Sequence, residues 1–215
     1  GEVLLDRLDL KIGAFDDFRP AAWLCRPEGL ARWLAPRHAN AHKGEHGHVL
    51  CVGGEEGMGG AVRLCAEGAL RTGVGLASVA TRSSGVAALV AARPEAMTHA
   101  VEDARALRPL IERATVLAVG PGLGQGAWGQ ALFGEAIASG KPLVLDADAL
   151  NLLAQHPLPL PQAILTPHPG EAARLLASDN GAVQADRFAA AEALAQRYGC
   201  TVVLKGAGTV VAAPG

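Results

Sequence analysis

From His48 onward the chain repeats one pattern: a short unbroken apolar run, a polar or glycine-rich break, then a stretch of helical spacing. The apolar runs are "HVLCVGG", "VGLASVAT", "TVLAVG", "PLVLDAD", "AILT" and "CTVVLKG". Between them lie "GAVRLCAEGALRTG", with Gly73 as its stop, then helical stretches around Gly85–Arg93, Asp103–Arg113, Trp128–Ser139 and Leu150–Gln155, and finally "ADRFAAAEALAQRYG". A strand with one wet face alternates apolar and polar residues, whereas an unbroken run needs cover on both sides. The pattern therefore predicts an α/β fold with a central, mostly parallel sheet flanked by helices on both faces.

Charge and composition narrow the function. Lys+Arg 19 against Asp+Glu 21 leaves a net charge of −2, too balanced to attract a polyanion, and 4% aromatics offer little base stacking. Nucleic acid is thus not an expected partner. No run approaches about 18 apolar residues, so no membrane span is expected. No secretory leader is visible, which sets the cytoplasm as the expected location. Cys25, Cys51, Cys65 and Cys200 form no CxxC pair and read as small buried hydrophobes in a reducing compartment. The chain opens on Gly1 and not on methionine, so it reads as part of something longer or as processed. Residues 1–26 do not resemble the start of a core, which leaves 27–215 as the main domain.

In parallel sheets, ligands bind beyond the carboxyl ends of the strands. Five of the breaks there carry chemistry. "GGEEGMGG" (Gly53–Gly60) runs from a strand into a helix, and its glycines allow close backbone approach to an anion at the helix start. It matches neither GxxxxGK[ST] nor GxGxxG, so a tight structural turn is an equal reading. "GPGLG" (Gly120–Gly124) could give a side-chain-free wall for a nucleotide or sugar. "DADALN" puts Asp146, Asp148 and Asn151 at a strand end, with Asp148 and Asn151 on one helix face or Asp148 as a cap. "TPHPGE" fixes His168 between two prolines and sets Glu171 in the first helical turn, as a cap or near a Mg²⁺-bound water. "KGAGT" offers Lys205, backbone N–H groups and the Thr209 hydroxyl to phosphates, or serves as a plain hairpin.

Together "HKGEHGHVLCVGG", "GGAVRLCAEGALRTGVGLASVAT", "GPGLG", "LDADALN", "LTPHPGE" and "VVLKGAGT" resemble the ADP-dependent NAD(P)H-hydrate dehydratases of the ribokinase-like superfamily, in order from about His42 to Val211. Gly1–Pro20 is similar to the tail of the epimerase domain that often precedes that one, which suggests half of a bifunctional repair protein. The resemblance implies a ribokinase-like fold and repair of hydrated NADH or NADPH. ADP (or ATP), with Mg²⁺, phosphorylates the ring hydroxyl; elimination then restores the cofactor and leaves AMP and phosphate. It places the hydrated cofactor at Gly60, Ala61, Gly122, Gly124, Asp146, Asn151 and His168. The ADP phosphates fall at Lys205, Gly206, Ala207, Gly208 and Thr209, with Glu171 acting indirectly on Mg²⁺. It also implies a homo-oligomer, a tetramer in this family.

One departure stands out. The family carries a glycine-rich GTGD-like segment whose amides form an anion hole and whose Asp is the general base. The sequence through Pro214-Gly215 contains none. The expectation is that this Asp lies beyond Gly215, with the C-terminal part of the domain, and that the 215-residue form has no catalytic residue of its own. Loss of a positioned base costs about 10²–10⁴-fold. A small-molecule kinase of the same fold, a Rossmann-type NAD-dependent oxidoreductase and a non-catalytic nucleotide-binding module are the alternatives. Against the oxidoreductase, no acidic residue ends the second strand, which finishes Val79-Ala80-Thr81.

Overall fold

The computed structural model describes residues 22–30, 33–34 and 36–215. The likeness of Gly1–Pro20 to an epimerase tail lies outside them. Two compact units are present, Gly1–Ala41 and His42–Gly215. The first contains the short helix α1 (Pro27–Leu30), with Trp23 and Trp33 exposed.

The second unit is built on a sheet that runs β1 (His48–Val52), β2 (Leu76–Thr81), β3 (Met97–Ala100), β4 (Val116–Val119), β5 (Leu143–Leu145), β6 (Ala163–Leu165), β7 (Thr201–Leu204) and β8 (Val210–Ala212) along the chain. Its spatial order is β3-β2-β1-β4-β5-β6-β7-β8, parallel throughout except for the β7–β8 hairpin. The helices between are α2 (Gly59–Arg71), α3 (Ser83–Ala92), α4 (Ala104–Arg113), α5 (Ala127–Ala138), α6 (Asp148–Gln155), α7 (Pro169–Leu176), α8 (Asn180–Ala185) and α9 (Arg187–Tyr198). Two elements were not expected. β3, "MTHA", is short, half polar and at the sheet edge, so it lacks the apolar-run signal. α8 has six residues, too few for a periodic stripe, although Asp179 caps it and Asp186 caps the next helix.

Alternation along each strand divides the core in two. Leu50, Val52, Leu117, Val119, Leu145, Leu165 and Leu204 pack with helices α4 to α9 in the larger cluster. Cys51 and Val79 point the other way, against Val62 and Ala66 of α2 and Leu89 of α3. Both faces carry helices, as the apolar runs predicted, but unequally. On the α2 side Ile164 of β6 is 41% exposed and Val211 of β8 is 65% exposed.

His48, the first residue of β1, belongs to the scaffold. Its ring is buried, with Nδ1 3.1 Å from the Arg113 carbonyl and Nε2 2.8 Å from Ser78 Oγ. The carbonyl can only accept, so Nδ1 donates to it and Nε2 accepts from the serine.

Candidate functional site

Because β1 and β4 to β7 are parallel, their carboxyl ends deliver the five breaks to one rim. Direct bonds tie the breaks together. Gly54 N–H donates to the Pro121 carbonyl at 3.2 Å and Glu55 N–H to the Gly122 carbonyl at 2.6 Å. Asp148 Oδ2 accepts from Gly124 N–H at 2.9 Å. Lys205 N–H donates to the Pro167 carbonyl at 2.8 Å. Gly120, at φ +126°, is required here, since a Cβ would run into the Asp146 carbonyl. At Gly122 a Cβ would stand 2.7 Å from the Met58 carbonyl and 3.2 Å from Ala61, so the second break lies against the first turn of α2 that holds Gly60 and Ala61.

The charged centre joins three breaks. Lys205 Nζ donates to Asp146 Oδ1 at 2.6 Å and stands 4.0 Å from Glu171 Oε2. The buried Glu171 Oε2 also accepts the His168 amide at 2.9 Å. His168 caps α7: its Nδ1 accepts from Gly170 N–H at 3.0 Å and from Glu171 N–H at 3.4 Å. With Nδ1 used as an acceptor, the neutral ring carries its proton on Nε2, which lies 3.2 Å from Glu171 Oε1. The capping reading of "TPHPGE" is met, since His168 and Glu171 form a reciprocal cap, and the His168 ring is half exposed at the rim.

The remaining expected residues take distinct places. Asp148 is not the cap of α6; that position is Ala147, at φ +50°, and Asp148 sits in the first turn facing Gly124. Asn151 does not share its contacts. Its Oδ1 accepts from Arg174 Nη1 at 2.9 Å, beside a hollow of about 440 Å³ lined by Gln125, Asn151, Ala154, Gln155 and Arg174. The segment Lys205–Thr209 is a hairpin turn with Gly206 at φ +153° and Gly208 at φ +75°. Thr209 Oγ1 donates to the Gly206 carbonyl at 3.3 Å. Of the four cysteines, Cys51 and Cys200 are buried and Cys65 partly so, whereas Cys25 is exposed, contrary to its expected burial.

Two arginines escaped the sequence reading. Arg187 of α9 donates Nη2 to the carbonyls of Leu204, Lys205 and Gly208 at 3.1, 3.3 and 3.2 Å, which fixes the hairpin turn. Arg82, just after β2, donates Nε to Glu55 Oε1 and Nη1 to Glu102 Oε2, both at 2.7 Å, and lies 4.8 Å over the Trp128 ring. The Arg82 bond holds the Glu55 carboxyl below its ordinary range, against a smaller opposing effect of burial. A lone charged residue directly after a buried strand was the only available signal. Among the described residues no group of three or more His, Cys, Asp or Glu side chains is arranged to hold a metal ion. No helix among them is long and apolar enough to cross a membrane.

Comparison with known proteins places the chain among relatives of one family and fold. A family model described as NAD(P)H-hydrate dehydratase matches residues 49–215, which includes all five breaks. A bifunctional NAD(P)H-hydrate repair enzyme of Coxiella burnetii is 46% identical over 215 residues, covering 98% of this chain and 43% of that protein. A ribokinase-like superfamily protein of Enterococcus faecalis superposes with TM-score 0.77 at 29% identity, covering 84% of this chain and 64% of that one. The ADP/ATP-dependent NAD(P)H-hydrate dehydratase of Bacillus subtilis, co-crystallised with ATP/Mg²⁺, gives TM-score 0.72 at 31% identity, covering 84% of this chain and 65% of that one. The chain thus spans under half the length of the curated relative and about two thirds of the solved ones. With residues 49–215 matched by that family model, the chain belongs to the NAD(P)H-hydrate dehydratase family.

Proposed function

We propose that this chain supplies the ligand-binding rim of an ADP-dependent dehydratase that restores hydrated NADH or NADPH. The observation that carries the reading is the Lys205–Asp146 pair with Glu171 behind it. Asp146 belongs to the group expected at the hydrated cofactor and Lys205 to the group expected at the ADP phosphates. Their contact supports a reading in which the two ligands' reacting groups meet at one point.

The chemistry suits such a rim. Hydroxide leaves the hydrated ring poorly, and phosphate leaves well. Attack of the ring hydroxyl on the terminal phosphorus of ADP forms one P–O bond and breaks the bond to AMP. Loss of a ring proton with expulsion of phosphate then restores the cofactor. Positioning and charge stabilisation dominate such a transfer. Lys205, the amides of Gly206, Ala207 and Gly208, and the Thr209 hydroxyl meet the phosphates. Gly60, Ala61, Gly122, Gly124, Asp146, Asn151 and His168 hold the hydrated cofactor. The family resemblance assigns the general base to an Asp in a segment not among these 215 residues, so the roles proposed here are binding and positioning. Mg²⁺ supplies charge neutralisation when it accompanies the nucleotide. A dedicated cage for it does not fit, since Glu171 faces the His168 amide and Lys205. ADP is taken as donor ahead of ATP, by resemblance.

The test is phosphate release from ADP. The proposal expects AMP and phosphate in equal amounts only when hydrated NADH or NADPH is present, in protein that carries the rim and the GTGD-like segment. Transfer to an unrelated alcohol would favour a kinase, and thermal stabilisation by NAD⁺ but not by ADP or AMP would favour an oxidoreductase. A homo-oligomer, a tetramer by resemblance, and a cytoplasmic setting complete the proposal, to be checked by sedimentation and by cell fractionation.

A further inference from the structure

We infer that Cys51 and Cys65 form a thiol–disulfide couple that low-molecular-weight disulfides such as glutathione disulfide oxidise, clamping the first break of the rim. Cys51 lies in the central strand β1 and Cys65 in the second turn of α2, and their sulfurs stand 3.5 Å apart although 14 positions separate them. Both belong to the α2-side core with Val62 and Ala66, while Cys200 is buried in the larger cluster. Cys51 is closed to solvent and Cys65 is only partly buried, so an oxidant reaches one member of the pair first. The contact with the Cys51 sulfur lowers the pKa of the Cys65 thiol, against opposition from burial and from Asp146. The same partnership, with burial, pushes Cys51 up. Cys65 is therefore the attacking thiolate and Cys51 the resolving thiol.

The exchange balances. The Cys65 thiolate attacks one sulfur of glutathione disulfide, forms a mixed disulfide and releases one glutathione thiolate. The proton of Cys51 passes to a glutathione thiolate, and the Cys51 sulfur displaces the second glutathione from Cys65. Two protein thiols and one glutathione disulfide become one protein disulfide and two glutathiones. Bonding brings the sulfurs about 1.5 Å closer, to the usual S–S length. The ring so closed, Cys51 to Cys65, contains all of Gly53–Gly60 and the turn of α2 that carries Ala61.

The experiment treats the folded protein with glutathione disulfide, alkylates the remaining thiols, and reads intact mass and cross-linked peptides. The expected product has lost the mass of two hydrogens and yields one Cys51–Cys65 peptide. Cys51→Ala should stall as a glutathione adduct on Cys65, and Cys65→Ala should give neither adduct nor cross-link at Cys51. Amide exchange of Gly53–Gly60 should slow at least several-fold in the oxidised protein. A wild-type protein that stops at a stable mixed disulfide, that pairs cysteines indiscriminately, or that reacts only in denaturant overturns the couple. Unchanged exchange across Gly53–Gly60 overturns the clamp. None of these readouts depends on dehydratase activity.

Discussion

Lys205 Nζ and Asp146 Oδ1 stand 2.6 Å apart across 59 residues of sequence, and this contact joins the ends of β5 and β7 at the rim. Both side chains are partly exposed, 41% for Lys205 and 35% for Asp146, so the pair itself contributes only about 0–1 kcal/mol to stability. Lys205→Ala should leave the unliganded melting temperature nearly unchanged while weakening ADP binding about 10-fold or more, the scale of a charge-assisted bond of about 1.5–3 kcal/mol. Calorimetric titration measures it. Unaltered affinity would reduce "KGAGT" to a structural hairpin.

His168 has two separable tasks, and two substitutions part them. His168→Ala removes the acceptor that caps α7 and should cost about 0.5–2 kcal/mol in denaturant unfolding. Asn is a good cap without the ring, so His168→Asn should keep stability and ADP affinity yet lose affinity for the hydrated cofactor. If His168→Asn binds that ligand normally, the ring is a cap and nothing more.

Gly120 tests the packing of the rim. Gly120→Ala places a methyl group against the Asp146 carbonyl at a φ of +126°, a clash and a strained backbone together, each about 1–3 kcal/mol. The expected outcome is a clear fall in melting temperature with loss of both ligands. Gly134 has open space at its Cβ, and Gly134→Ala within α5 should be neutral or stabilising by up to about 1 kcal/mol.

Acid should act first through His99 of β3. Burial, then the charge of Arg113, lowers its pKa from the ordinary 6.5. The folded state thus binds this proton less readily than the unfolded chain. The resulting stability is complete above about pH 6.5 and is lost as pH falls through the lowered folded value. Unfolding free energy measured against pH should decline in that window, ahead of the carboxylates, and His99→Gln should flatten the decline. An identical slope in the variant contradicts the assignment.

The strands inside the sheet were legible because burial on both sides leaves an apolar run, and the glycine signals at Gly120 and Gly122 marked true close approaches. β3 was hidden because an edge strand tolerates Thr98 and His99. The roles of Arg82 and Arg187 were hidden because each acts on groups 17 to 27 residues away, and no local spacing encodes that. Asp148 misled for a related reason: its position suits a cap, but the amide it meets is Gly124, on another strand's loop. Local propensity was readable; partners across the sheet were not.

Hydrogen exchange of the protein with ADP and hydrated NADPH, singly and together, tests the central claim most directly. Slowed exchange should concentrate at 53–61, 120–126, 146–151, 166–171 and 205–209, with ADP protecting the last segment and the hydrated cofactor the others. Protection elsewhere, or mutual displacement of the two ligands from one segment, would contradict the account.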